Sequence, residues 1–124
     1  MFADTNILID LFRGKASSIE MLEKFRGGIK ISIIVLMELI DGLKSKSDIA
    51  KLRKQLINSI GIEIIQINDD ISETSYELFS TFRHSHGISI NDAIIAATAL
   101  NYDEPLATLN NKHFEFIANL KLLL

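Results

Sequence analysis

The sequence predicts an α/β fold: a three-layer α/β/α sandwich around a central, mostly parallel sheet. Two observations predict it. Short apolar, largely β-branched runs alternate along the whole chain with longer segments patterned at helical spacing, which is the signature of βαβ units whose sheet is covered on both faces. The chain is also 124 residues long and 48% hydrophobic, enough for one core and too short for a second domain, so residues 1–124 are expected to form one domain.

Each element has its own signal. Met1–Asp4 is a short buried-strand candidate, followed at once by a helical pattern through about Arg13 and stopped at Gly14. Ser17 is placed to cap a second helix that reaches the Gly27-Gly28 pair,. Ile29–Ile33 is β-branched and strand-like, and Ile34–Leu43 turns helical with Gly42 near its end. Ser47 or Asp48 is expected to cap the next helix, where Ile49, Leu52, Leu56 and Ile60 recur at helical spacing up to Gly61,. Ile62–Ile67 forms the third strand. Asp69–His84 is an amphipathic helix with Ile71, Tyr76, Phe79 and Phe82 as expected core positions, ended by Gly87. Ser89 opens an alanine-rich helix through about Asn101; Pro105–Thr108 is strand-like, Lys112–Ile117 a short helix, and Leu120–Leu124 an edge strand.

Composition removes several function classes. With no cysteine, disulfides, thiolate zinc sites and iron–sulfur clusters are excluded,. The first ten residues carry two acids and no basic stretch, unlike a secretory signal, and the longest apolar run, Ile31–Met37, is too short to span a bilayer,; no membrane role and a cytoplasmic location are expected. Thirteen basic against 16 acidic residues give a net charge of −3, which argues against broad electrostatic binding of nucleic acid but leaves room for a local basic rim. Arg13 with Lys15, and Lys44, Lys46, Lys51, Arg53 and Lys54, are the candidates; a solvated helix face is the plainer reading of the second group,.

In parallel sheets ligands gather at the carboxyl ends of the strands, and acids recur there. Asp4 ends the first strand, where it can serve a metal or merely cap the next helix,. Glu38 lies one turn inside the helix after the second strand, among Leu36, Met37, Leu39 and Ile40; a carboxylate so surrounded needs a partner, and Asp41 and Lys44 already supply an exposed face,. Asp92 follows Ser89 by three residues, so it either completes a capping box or is carried inward by Ala93, Ala96, Ala97 and Ala99, which permit close helix approach,. Each acid alone has a structural explanation. Three of them in separate strand-to-helix regions repel one another unless protonated or neutralised by a cation, and oxygen-only donors favour Mg²⁺ or Mn²⁺ over zinc.

Four segments, ADTNILIDLFRG, SIIVLMELIDG from Ser32, ISINDAIIAATAL and PLATLNNKHF, together resemble the PIN-domain ribonucleases, in particular the VapC toxins of type II toxin–antitoxin pairs. They stand in family order and span nearly the whole chain. The resemblance implies a PIN-like fold with Asp4, Glu38 and Asp92 as metal-binding, catalytic acids, and Thr5 and Asn6 as residues that help order the site. It also implies a Mg²⁺-dependent endoribonuclease (with Mn²⁺ as the alternative ion), an RNA substrate with tRNA among the candidates, a small cognate antitoxin, a homodimer, and a heterotetramer or larger assembly with the antitoxin. Two departures stand out. Asn110 replaces an acid common in the family, which argues for one ion rather than two, although an amide can still support the site. Val35 replaces a helix-capping threonine, at an expected cost in helix stability.

The implied reaction is phosphodiester hydrolysis by water activated beside the cation, with Asp92 or Asp4 accepting its proton and Arg13 or the Lys44–Lys54 stretch holding phosphate. Ile9, Phe12, Met21 and Phe25 are candidates for a dimer interface. A haloacid-dehalogenase-type phosphatase would need an Asp where Asn6 stands, and a receiver domain would need its acidic pair elsewhere than Asp69-Asp70. The non-enzyme alternative is a catalytically weakened PIN-like domain that acts as a protein- or RNA-binding partner, for which Asn110 is the supporting feature. His84 and His86, two positions apart on a helix, point in different directions and are read as surface residues.

Overall fold

The computed structural model describes residues 1–123. Its strands are β1 (Phe2–Ala3), β2 (Lys30–Ser32), β3 (Glu63–Ile65), β4 (Leu106–Ala107) and β5 (Leu122–Leu123). Its helices are α1 (Thr5–Phe12), α2 (Ala16–Lys24), α3 (Ile33–Asp41), α4 (Lys46–Lys54), α5 (Asp69–His86) and α6 (Ile90–Asn101). All strand pairings are parallel, in the order β3-β2-β1-β4-β5. The chain begins at the centre of the sheet, builds outward through β2 and β3, then returns through α5 and α6 to β4 on the other side of β1. Right-handed crossovers in opposite directions put helices on both faces, so the expected sandwich is observed. The reversal at β1 opens a crevice between β1 and β4 at their carboxyl ends, where such sheets bind ligands.

The strands are short, and burial holds them. Phe2, Ile31 and Leu106 are fully buried, and helices cover them with Ile7, Leu8, Leu56, Ile71 and Ile95. Ala93, Ala96, Ala97 and Ala99 are all buried on α6, which lets that helix lie close against α5. Lys30 pairs with Glu104 at 2.7 Å near the amino ends of β2 and β4, so the opposite edge of the sheet stays clear for the site.

The local chemistry of the ends departs from expectation in five places. Ser17 is exposed and caps nothing; α2 starts after Lys15 with no side-chain cap. The cap of α4 is Ser45, neither Ser47 nor Asp48, because its hydroxyl sits three residues before the Asp48 N–H that it accepts at 3.1 Å,. That helix then widens into a π-helical turn over Gln55–Ile60, closed by Gly61 at φ +79°, a left-handed conformation that favours glycine,. The α3 cap is supplied by Ser32, whose hydroxyl accepts from the Ile34 N–H at 3.2 Å, while Val35 is fully buried; the expected cost at Val35 is thereby offset. The Lys112–Ile117 helix is only a 3₁₀ turn over Asn111–His113.

Tyr76 is the clearest correction. It is 73% exposed, and the buried stripe of α5 runs through Ile71 and Ser75 instead. Ser75 is tolerated in the interior because its hydroxyl donates to the Ile71 carbonyl at 2.7 Å,. α5 itself continues to His86, and Gly87 caps it at φ +68°. Of the expected edge strand, Leu122–Leu123 pairs with β4 at the sheet's edge; Leu124 lies outside the described residues.

Candidate active site at the carboxyl ends of the strands

Asp4 extends the β1–β4 ladder by one bond, its N–H donating to the Ala107 carbonyl at 2.9 Å. Its backbone then turns into α1 as the N-cap (φ −77°, ψ 160°). Cap and site are therefore one residue. Oδ1 accepts from the Thr5 N–H at 2.8 Å, and Oδ2 accepts from the Thr108 hydroxyl at 2.8 Å. Asn6 closes the arrangement: its amide N–H reaches Asp4 Oδ2 at 3.4 Å, and its carbonyl accepts from the Leu109 N–H at 3.1 Å. The Asn110 N–H in turn donates to the Thr108 hydroxyl oxygen at 3.0 Å. The start of α1 is thus stitched to the segment after β4, and Asp4 is only 6% exposed.

Glu38 and Asp92 approach from two other helices and are half-buried. Glu38, on α3, accepts from the Thr5 hydroxyl at 2.8 Å through Oε1, so Thr5 touches Asp4 with its N–H and Glu38 with its side chain. Asp92 lies in the first turn of α6, where its N–H donates to the Ser89 capping hydroxyl at 3.0 Å. Its Oδ2 faces His113 Nδ1 at 3.1 Å.

Charge confirms the proximity. Burial pushes the Asp4 carboxyl above the ordinary Asp value; the Thr108 and Thr5 hydrogen bonds oppose this, Asp92 adds to it, and His113 opposes it. Burial also raises Asp92, with His113 and Ser89 pulling it down and Glu38 pushing it up. Asp4 thus feels the charge of Asp92, and Asp92 that of Glu38. Yet among the described residues no three acids or histidines are arranged as a ready-made metal site: Glu38 is turned to Thr5 and Asp92 to His113. The hard oxygen donors and the uncompensated charge fit a divalent cation in kind, in an open rather than a closed arrangement.

The other expected residues are distributed unevenly. Thr5 and Asn6 are in the network. Asn110 follows Thr108 on the same loop and contributes its backbone N–H, with the side chain on an exposed residue. Arg13 caps the opposite end of α1, about 13 Å along the helix axis from Asp4. Lys44, Lys46, Lys51, Arg53 and Lys54 are exposed on and around α4, as a solvated face. Of the candidate interface residues, Ile9 and Phe12 are exposed and Met21 and Phe25 pack partly against the core. His84 and His86 do not pair; His86 stacks on Phe116 with ring centroids 4.2 Å apart.

Two residues escaped the sequence reading. Thr108 and His113 bond Asp4 and Asp92 from 104 and 21 residues away, and only the motif segment PLATLNNKHF, which contains both, hinted at them. Around the acids the surface has two adjoining depressions. One of about 370 Å³ is lined by Glu38, Phe79, Arg83 and Ser89, among others. The second, about 210 Å³, is lined by Ser89, Asp92, His86, Lys112 and His113, among others. A larger hollow of about 520 Å³ beside Arg53 and Ile57 contains none of these acids.

Known proteins share this fold and these segments. The PIN domain family model matches residues 1–120. Ribonuclease VapC1 of Methanocaldococcus jannaschii is 33% identical over 119 residues, covering 93% of this chain and 79% of the relative. A toxin–antitoxin complex from Klebsiella pneumoniae contains a chain 35% identical, with a TM-score of 0.80, covering 99% of this chain and 95% of that one. In VapBC2 from Rickettsia felis, crystallised on a DNA fragment from its promoter, the corresponding figures are 30%, 0.80, 98% and 96%. Only Asp4 directly follows a strand; Asp92 opens a helix that follows α5 and not a strand, contrary to expectation. With its central all-parallel sheet, Asp4 at the end of β1 with Glu38 and Asp92 on the helices around it, and this likeness over nearly its full length, the chain belongs to the PIN domain family, in its VapC branch.

Proposed function

We propose that this chain is a divalent-cation-dependent endoribonuclease, the toxin of a toxin–antitoxin pair, with Asp4, Glu38 and Asp92 as its metal-binding acids. The observation that carries the reading is Asp4, a buried carboxylate at the switch point of the sheet, hydrogen-bonded to Thr5 and Thr108 and still above its ordinary pKa. A charge kept there against burial and against Asp92 needs a counter-charge. Names of relatives support the activity, since those proteins are called ribonucleases, and names of neighbouring structures support the antitoxin partner. Mg²⁺, with Mn²⁺ as the alternative, suits the all-oxygen donor set, and when bound it would neutralise charge developing on the phosphate and acidify water.

The chain's own residues do the rest. Thr5 and Thr108 fix the orientation of Asp4 and, through the Thr5 hydroxyl, that of Glu38. Asn6 holds the loop after β4 against α1, and Asn110 stands at its rim. Asp92, less constrained, is the better placed of the acids to accept a proton from attacking water. Arg13 can serve only a phosphate remote from the one cut. An RNA substrate, tRNA among the candidates, a homodimer and a heterotetrameric or larger complex with a small antitoxin complete the reading. Asn110 favours the weakened-domain alternative, and one experiment separates the two. Purified protein and its Asp4→Asn and Asp92→Asn variants are incubated with total RNA, with Mg²⁺ or with chelator, and Mg²⁺ binding is followed by calorimetry. Cleavage that requires both the acids and the ion supports the nuclease. Absent cleavage with weak Mg²⁺ binding supports the alternative, and cleavage that survives chelator overturns the mechanism.

A further inference from the structure

A nuclease with net charge −3 and an acidic centre must still hold a polyanion, and none of the basic residues singled out in the sequence lines the depressions that hold Glu38 and Asp92. The two depressions beside the acids supply cations instead. Arg83 lines the one that contains Glu38, and Lys112 lines the one that contains Asp92; Ser89, the cap of α6, belongs to both. Arg83 is also held in place. Its Nη1 donates to the carbonyls of Gly87 and Ile88 at 3.2 and 3.1 Å, and its guanidinium lies 6.0 Å from the Phe79 ring centroid. Both bonds use Nη1, so the Nε–Nη2 edge, which suits side-on binding of a phosphate, carries no hydrogen bond to the described residues,. Lys112 sits on the 3₁₀ turn next to His113, the residue that faces Asp92, as a point charge on a flexible stem.

We propose that Arg83 and Lys112 hold the RNA phosphates on either side of the one that is cut, so that a single strand crosses the amino end of α6 from the Glu38 depression to the Asp92 depression. This rests on the ribonuclease reading and adds the path of the substrate. Charge balance favours it: a phosphodiester strand brought over Asp4, Glu38 and Asp92 meets repulsion at its centre, and cations on both flanks offset that repulsion without filling the site. The anchoring of Arg83 lowers the ordering cost of the contact, because its Nη1 is fixed before RNA arrives.

The test is binding rather than cleavage. In an Asp4→Asn background with Mg²⁺ present, the affinity for a fluorescein-labelled oligouridylate is measured by anisotropy across a salt series, with and without Arg83→Gln or Lys112→Gln. Each is expected to weaken binding about fivefold and to reduce the salt slope by about 0.7, the loss of one single-strand phosphate contact. Lys51→Gln, on α4, is expected to leave both unchanged. Arg83→Lys, which keeps a charged donor for the two carbonyls, guards against a folding defect, and Lys112 provides an arm that bears no load in the fold. Parent protein that binds while neither Gln variant differs from it overturns the proposed path and leaves the ribonuclease reading intact. Equal losses from Lys51→Gln overturn it too, since the effect would then be one of general charge. Parent protein that neither binds oligouridylate nor, with Asp4 restored, cuts total RNA overturns both.

Discussion

The two sides of the candidate site are built differently. On the β1–β4 side, Asp4 is almost fully buried, carries partners on both carboxylate oxygens, and belongs to a network that joins the start of α1 to the loop after β4. On the α3–α6 side, Glu38 and Asp92 are half-buried; Glu38 meets the rest through the Thr5 hydroxyl, and Asp92 through His113 and Ser89. The contrast follows from where each acid is attached. Asp4 is one residue beyond a central strand and shares the sheet's hydrogen bonding; the other two are carried on helices, Glu38 in the second turn of α3 and Asp92 in the first turn of α6. If the three acids act together as proposed, the site has one firmly held carboxylate and two held by fewer bonds.

Removing an acid from each side exposes the difference most strongly. Asp4→Ala strands the buried Thr5 N–H and Thr108 hydroxyl, a loss of about 1–3 kcal/mol, and should lower the melting temperature by roughly 5 °C or more while abolishing cleavage. Asp92→Ala should also abolish cleavage, beyond the roughly hundredfold ceiling for residues that merely orient a ligand. It should nevertheless leave stability within about 0.5 kcal/mol or slightly improved, because burial opposes its charge,. Thermal melts in chelator and RNA cleavage in Mg²⁺ check both. Equal destabilisation by the two substitutions would refute the division into a firmly held side and a side held by fewer bonds.

A milder probe compares the two hydroxyls that hold the acids. Thr108 is fully buried and its hydroxyl both donates to Asp4 and accepts from Asn110; Thr108→Val therefore leaves a buried carboxylate oxygen and the part-buried Asn110 N–H short of a partner, at about 1–2 kcal/mol. Thr5→Val removes only the bond to Glu38, and its backbone still caps on Asp4. Activity is expected to fall about tenfold in each, in the range for residues that orient ligands, but only Thr108→Val should shift the melting temperature by several degrees.

Much of this was legible beforehand, for a local reason. Strands, helices, and the three acids are set by short-range patterns: an apolar run ending in Asp4, an acid in an apolar helix at Glu38, a serine-capped first turn at Asp92. The residues that hold those acids were not legible, because Thr108 and His113 act across long separations that only the folded sheet closes. Tyr76 failed for a different reason. Its ring is hydrophobic, but it stands five residues from Ile71 and so off the buried stripe, and Ser75, which satisfies its own hydroxyl, takes the buried position next to it. Arg83 belongs to the same class: an arginine near a helix end reads as a solvated charge until the chain turn at Gly87 brings two carbonyls onto it.

The smallest effect is in the pH dependence of stability without metal. Asp4 and Asp92 both start from an ordinary value of 3.8 and are raised on folding. A carboxyl whose pKa rises on folding holds more protons in the native than in the unfolded state between those two values, so unfolding free energy falls as pH climbs through that interval and is level above it. In chelator, the melting temperature should therefore carry a component that declines from about pH 4 upward, and the difference curve between wild type and Asp92→Asn should isolate the share due to Asp92. Saturating Mg²⁺ should flatten the wild-type decline, because an ion bound only to the native acids stabilises their charged state. A decline unaffected by Asp92→Asn and by Mg²⁺ would place its origin in carboxylates elsewhere on the chain, and the charge strain assigned to the site would have to be given up.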